Sequence, residues 1–176
     1  MKIAIIGYSG SGKSTLARKL AEEYNLPVLH FDKVQFRPNW EIRSQASKEI
    51  MTKTFLDLHK DWAIDGNYSK LSFERRMAEA DVIIQLRFNR VSCLYRVCRR
   101  YLTYKEGTRP DMADGCAEKL DWEFTTWVLW KGRSNTSRER YEAVCARYPE
   151  KTIVVKNQRQ LDSVQKRINE VLAAKL

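Results

Sequence analysis

The chain has 176 residues, which fits one domain and leaves room for a second only as a small insert. It is 43% hydrophobic with 7 Gly and 4 Pro, which excludes collagen-like and low-complexity character, and no apolar run approaches the ~20 residues of a membrane span. Lys and Arg total 32 against 22 Asp and Glu, and the resulting +10 points to polyanionic partners, either nucleic acid or phosphorylated small molecules.

In chain order, Ile3 to Ile6 is a short apolar run that stops at Gly7, as a strand buried on both faces does. It runs straight into a glycine loop and so does not read as a signal peptide. Residues 13–24 carry Leu16, Ala17, Leu20 and Tyr24 at helical spacing, with Pro27 as a stop signal. Val28 to Phe31 is a second predicted strand ending at Asp32. Residues 41–60 are predicted helical, with Ile42, Ala46, Ile50, Met51, Phe55 and Leu58 on one side. Trp62 to Ile64 is a third strand cut off by Asp65-Gly66, residues 70–80 a short helix, and Val82 to Ile84 a fourth strand. Residues 90–148 are helical and arginine-rich, broken near Gly107 to Pro110, Gly115 and Gly132. Thr152 to Val155 is the fifth strand, followed by a helix bearing Leu161, Val164, Ile168 and Val171.

Strands alternating with helices imply an α/β fold with a parallel sheet and right-handed crossovers. The 65 residues between Ile84 and Glu150 exceed one crossover and predict extra helices such as a lid. Cys93, Cys98, Cys116 and Cys145 form no C-x-x-C pair and no His-flanked cluster. They favour a reducing, cytoplasmic setting over a disulfide scaffold or a structural zinc.

The strongest motif is Gly7-Tyr8-Ser9-Gly10-Ser11-Gly12-Lys13-Ser14-Thr15, which fits G-x-x-x-x-G-K-[ST] between a buried strand and a helix. Such a loop turns successive backbone N–H groups toward one anion, and the positive helix end adds to the field. Lys13 is placed to reach the β- and γ-phosphates, and the Ser14 hydroxyl to ligate Mg²⁺. The motif predicts a nucleoside triphosphate site, with ATP and Mg²⁺ as the ligands.

Three further segments, together with this loop, carry a family resemblance. They are Leu29-His30-Phe31-Asp32 with Arg37-Pro38-Asn39-Trp40, then Trp62-Ala63-Ile64-Asp65-Gly66-Asn67-Tyr68, and Arg109-Pro110-Asp111-Met112. The chain resembles the adenylate kinase-like and shikimate kinase-like branch of P-loop kinases, and more narrowly the bacterial DNA topology modulation (FlaR-related) proteins. The resemblance implies a three-layer α/β/α kinase fold with sheet order 2-3-1-4-5 in a single domain, residues 1–176. Within it, residues 33–60 are expected to bind an acceptor and residues from about 100 to 135 to form a lid.

Asp32, at the carboxyl end of predicted strand two, lies where ligands bind in such sheets, and a carboxylate there can take a proton from a hydroxyl or hold Mg²⁺ through water. Shikimate kinase-like enzymes carry an acid at this place that contacts the acceptor, although an Asp also ends ordinary strands. Asp65 fits a metal-site acid in the same way, in an Asp-Gly step that is equally a turn signal. Asp65, Asn67, Tyr68 and Arg37 are candidate acceptor contacts beside Asp32, and Arg37 hints at an anionic acceptor.

From Arg87 to Arg109 seven basic residues meet one acid, Glu106. Arg96 and Arg100, four apart on one helix face, resemble the pair that enters an adenylate kinase-like lid and contacts the γ-phosphate, and Arg133 and Arg140 the arginines at the lid exit. A solvated basic helix or a nucleic-acid surface has the same composition. Trp127 and Trp130 are expected to pack the lid on the core, and His30 to be a buried strand histidine.

Two functions follow. One is a kinase transferring the γ-phosphate of Mg-ATP to a nucleotide, a nucleoside or a small hydroxylated metabolite. The other is an ATP-binding regulator associated with nucleic acid, against which stands the lack of any helix-turn-helix, RNA-binding or zinc-finger signature.

Overall fold

The computed structural model describes residues 1–104, 107, 109–118 and 120–174. Lys105 and Glu106, counted above in the basic stretch, lie outside them. Five strands, β1 (Lys2–Gly7), β2 (Val28–His30), β3 (Trp62–Asp65), β4 (Val82–Leu86) and β5 (Thr152–Val155), form one sheet in the order β2-β3-β1-β4-β5. All four pairings are parallel. This is the expected α/β architecture and strand order. β1, β3 and β4 are apolar almost throughout and buried at nearly every position, as strands covered on both faces must be.

Nine helices connect and follow the strands among the described residues: α1 (Lys13–Tyr24), α2 (Phe31–Gln35), α3 (Gln45–Leu58), α4 (Phe73–Glu79), α5 (Arg90–Tyr104), α6 (Trp122–Leu129), α7 (Asn135–Arg147), α8 (Gln158–Asp162) and α9 (Val164–Ala173). The chain steps from β1 outward to β2, then back through β3 and past β1 to β4 and β5. Right-handed crossovers therefore put α1 on one face and the later connections on the other, and the reversal falls at the carboxyl end of β1.

Local signals account for where the helices begin and end. Leu16, Ala17, Leu20 and Ala21 bury one stripe of α1, and Asn25 closes it in the left-handed conformation, two residues before Pro27. Helix α3 starts at Gln45, later than the predicted 41, because the Ser44 hydroxyl caps it and Phe36 and Ile42 pair in a short antiparallel bridge. The predicted apolar face of this helix is not the buried one: Ile42, Ile50 and Leu58 are exposed, whereas Thr52 and Leu56 are buried. Thr52 tolerates burial because its hydroxyl bonds to the Lys48 carbonyl at 2.8 Å. Strand β2 is also shorter than expected. Phe31 and Val34, three apart and fully buried, start helix α2 directly at the strand end.

Among the described residues, the long segment between β4 and β5 carries α5, an irregular stretch over 109–118, α6, a turn at Lys131–Arg133, and α7. Two of its tryptophans are less buried than expected, with Trp127 48% and Trp130 56% exposed. No helix among the described residues is long and apolar enough to cross a membrane. All four cysteines are free thiols.

Candidate phosphoryl-transfer site

The loop from Gly7 to Gly12 lies at the carboxyl end of the central strand. Gly12 stands in the left-handed region at the start of α1, and no side chain caps that helix, so its first-turn N–H groups remain open to an anion. Ser11 is fully buried, and its hydroxyl has no hydrogen-bond partner among the described residues. Asn67 clamps the start of the loop from β3's side: Gly7 N–H donates to its Oδ1 at 2.9 Å, and its Nδ2 donates to the Gly7 carbonyl at 2.6 Å.

Lys13 Nζ donates to the Tyr8 carbonyl at 3.0 Å, curling over the loop interior. Burial holds its ammonium below the ordinary lysine range, partly offset by the carboxylates of Asp32 and Asp65. Ser14 Oγ donates to Asp65 Oδ2 at 2.7 Å, while Asp65 Oδ1 lies 2.5 Å from His30 Nδ1. His30 and Asp65 are register partners on β2 and β3, so the sheet places the imidazole against the carboxylate. A hydroxyl and a carboxylate, both hard oxygen donors, thus meet at the mouth of the loop.

Asp32 sits in the first turn of α2, just past the strand end where the sequence located it. The Tyr68 hydroxyl donates to its Oδ1 at 3.0 Å, and Arg109 Nη2 lies 3.7 Å from Oδ2. Burial and the facing Asp32 carboxylate raise the Tyr68 phenol far above its ordinary value, so it stays a donor. A second buried arginine shapes this wall. Arg76 on α4 donates to the carbonyls of Gly66, Tyr68 and Leu71 and stacks on Phe31, 4.3 Å from the ring centre.

The arginines divide. Arg96 on α5 reaches the loop, donating to the Ser11 carbonyl at 3.4 Å and to Gln158 Oε1 at 2.6 Å while stacking on Phe88. Arg133 lies 4.0 Å over the Tyr8 ring and donates to the Phe88 and Val128 carbonyls. Arg100, one turn beyond Arg96, is instead bound to Glu118 at 2.9 Å. Arg140 points away, 6.0 Å from the ring of Phe73 on α4, and makes no ion pair among the described residues. Arg37 is also turned aside, exposed and paired with Glu41 at 3.1 Å. Trp127 Nε1 donates to Ser9 Oγ at 3.1 Å, so α6 rests on the loop itself.

A pocket of about 220 Å³ opens beside the loop, lined by Gly12, Thr15, Lys19, Arg96, Gln158 and Asp162. Sequence reasoning passed over this pocket, and also over Arg76, Arg109 and Glu118. Arg109 was visible only as part of a motif, and no local pattern announces its partners.

No protein-family model matches the chain, and no curated protein matches it. Solved structures do. Shikimate kinase from Acinetobacter baumannii, in complex with shikimate, aligns with a TM-score of 0.60 at 17% identity over 99% of this chain and 94% of that one. Deoxyadenosine kinase from M. mycoides, with the products dCMP and a flexible dCDP bound, aligns at 0.54 and 14% over 97% and 100%. The same enzyme with bound dATP aligns at 0.52 and 16% over 96% and 100%. At such identities the likeness is one of architecture: this chain has the fold of the P-loop kinases.

Proposed function

We propose that the chain transfers the γ-phosphate of Mg-ATP to a hydroxyl of a small-molecule acceptor. The observation that carries this reading is the convergence on one uncapped helix end of Lys13, the Ser14–Asp65 pair and Arg96, with Asp32 and Tyr68 on the neighbouring wall. The triphosphate would lie along the open N–H groups of the loop, with its base in the pocket lined by Thr15, Lys19, Arg96 and Gln158. Lys13 and Arg96 would spread the charge of the moving phosphoryl group, and Asp32 would accept the proton of the attacking hydroxyl. Residues 33–60 would face the acceptor, and the arginine-bearing insert would close over it to exclude water.

Ser14 and Asp65 are the residues that would hold Mg²⁺, whose chemistry is to neutralise charge on the phosphate oxygens. The donor set fits that ion. Among the described residues no group of three or more acidic, histidine or cysteine side chains forms a cage, and Mg²⁺ normally takes most of its ligands from water and phosphate.

The resemblance of the four segments quoted above supports placing the chain near the topology modulation proteins within this branch. A nucleic-acid role is disfavoured by the arginines: Arg96, Arg100 and Arg133 are engaged with the protein's own groups and do not form an exposed track. The test is an acceptor screen with labelled ATP over nucleosides, nucleotides and hydroxylated metabolites. Transfer to one of them that vanishes in Lys13→Ala is the expected result, and transfer persisting in that variant would overturn the proposal.

A further inference from the structure

Arg109 has a position that the reading above does not use. Its side chain is only 9% exposed, and three carboxylates surround it: Asp111 at 3.1 Å, Glu118 at 2.5 Å and Asp32 at 3.7 Å. Glu118, itself 4% exposed, also holds Arg100. An ion chain therefore runs from Arg100 on α5 through Glu118 and Arg109 to Asp32 on α2, across 68 residues of sequence between its ends. A buried arginine with this many anionic neighbours is fixed in place, since moving it would strand charges in a low-dielectric site.

A second set of contacts joins the same two parts of the molecule. The Asn39 N–H donates to the Asp114 carbonyl at 3.2 Å, the Trp40 N–H to Cys116 Sγ at 3.3 Å, and the Cys116 thiol to the Arg37 carbonyl at 3.5 Å. Asn39 and Trp40 are consecutive non-glycine residues with φ of 60° and 65°, a conformation that persists only when surrounding contacts over-determine it. Gly115 has φ 70°, a backbone conformation that L side chains rarely adopt, and a Cβ there would sit 2.5 Å from the side-chain Oδ1 of Asn39.

We propose that Arg109 is a positioning residue of the acceptor site, holding the Asp32 carboxylate against Tyr68 and fastening the 109–118 segment to the 36–40 turn so that both close on the acceptor as one piece. This rests on the reading of Asp32 as the group that receives the acceptor's proton. Asp32 has two oxygens, and the two neighbours divide them: Tyr68 takes Oδ1 and Arg109 faces Oδ2. The hydrogen bond from Tyr68 fixes one oxygen and the guanidinium charge 3.7 Å from the other biases the carboxylate's orientation, and a misplacement of about 1 Å at a reacting group can cost on the order of 10²-fold in rate. The ion chain also makes acceptor and lid sides interdependent, because a shift of Glu118 is felt by Arg100 and Arg109 together.

The experiment compares wild type, Arg109→Gln, Arg109→Lys, Gly115→Ala and Asp32→Asn by hydrogen exchange, by Mg-ATP titration and by transfer to the acceptor found in the screen. Arg109→Gln is expected to speed exchange of the Asn39 and Trp40 amides about tenfold while α1 amides stay protected. It should lower turnover by roughly ten- to a hundredfold with Mg-ATP affinity within about twofold of wild type. Arg109→Lys, which keeps the charge and loses the fork, should recover part of both. Gly115→Ala strains the docked segment at φ 70° and crowds the Asn39 side chain without touching any charge, and it should speed exchange at Asn39 and Trp40 as well, so the coupling is tested even if Arg109→Gln fails to fold. Unchanged exchange in folded Arg109→Gln and Gly115→Ala proteins, or a loss confined to ATP affinity, overturns the proposal. Near wild-type transfer by Asp32→Asn would remove Asp32 as proton acceptor, a failure of the earlier reading that the exchange data separate from the coupling.

Discussion

The Ser14 hydroxyl donates to the Asp65 carboxylate at 2.7 Å, joining the first turn of α1 to the carboxyl end of β3. The two residues are 51 positions apart, and the parallel pairing of β1 with β3, Ile5 against Asp65, is what brings them together. The hydroxyl and the carboxylate are therefore held by α1 and the sheet rather than by a flexible loop, and the pair proposed to hold Mg²⁺ is already assembled in the fold. Rigid scaffolding of this kind removes reorganisation from the reaction step.

Lys13→Ala removes the cation curled over the loop and, of the protein's own hydrogen bonds, the one from its Nζ to the Tyr8 carbonyl. Turnover should fall by at least about 10²-fold, as when one stabilising donor is lost from a transition state. The far-ultraviolet circular dichroism spectrum should stay that of the wild type, and measuring both on one preparation checks the prediction.

Asp32→Asn keeps the size of the side chain and its acceptor oxygen for Tyr68. Turnover should drop by on the order of 10²-fold with Mg-ATP affinity nearly unchanged. Steady-state kinetics alongside calorimetric titration would show the split.

Arg96 and Arg100 are expected to behave differently despite sharing a helix face. Arg96→Ala removes a guanidinium beside the Ser11 carbonyl and should lower kcat more than it weakens nucleotide binding. Arg100→Ala leaves the buried Glu118 with one arginine instead of two and should cost stability as well, by roughly 1–3 kcal/mol. Urea denaturation of both variants distinguishes the two outcomes.

The pH dependence follows from Lys13. Burial depresses its folded-state pKa below the unfolded value of 10.5. Between those two values the unfolded chain keeps the proton that the folded chain has lost, so folding stability rises with pH across that window. Affinity for Mg-ATP should move the opposite way, declining at a pH below that of an ordinary lysine because the ammonium proposed to meet the phosphates is lost. Nucleotide titrations from pH 7 to 10 on wild type and Lys13→Met, the latter without this alkaline limb, test the assignment.

Gly7→Ala tests the packing under the loop. Gly7 has φ 146°, and a Cβ there would fall 2.3 Å from the Leu86 carbonyl oxygen. Backbone strain and overpacking together should cost roughly 2–4 kcal/mol, read as a lower urea midpoint.

Much of this architecture was legible because its signals are local. A four-residue apolar run before a glycine-rich loop specifies a buried strand, the loop itself and the start of a helix. The short runs at 62–64, 82–84 and 152–155 matched strands to within two residues at either end. Helix α3 was misjudged because apolar spacing was taken for burial, whereas Ser44 and the Phe36–Ile42 bridge decide where it starts and which face turns inward. The arginines were harder. Arg96 and Arg100 carry the same charge one turn apart on one face of α5, yet one meets the loop and the other Glu118, a distinction made by the path of the insert. Arg140 lies near a basic cluster in sequence but beside Phe73 in space. Long-range ion pairs leave no periodicity to read.

The central place of β1 has a consequence for how the protein is made. β1 is complete by Gly7, yet its hydrogen-bonding partners are residues 62–65 on one side and 82–86 on the other. Even the first amide of the loop, Tyr8 N–H, waits for the Leu86 carbonyl. Pairings of such sequence separation form slowly, after the entropy of closing the intervening chain has been met. During synthesis the Gly7–Gly12 loop therefore emerges before the strands that frame it and acquires that frame only after β4 has left the ribosome, so a ligand bound there would stabilise the finished sheet without templating its early assembly.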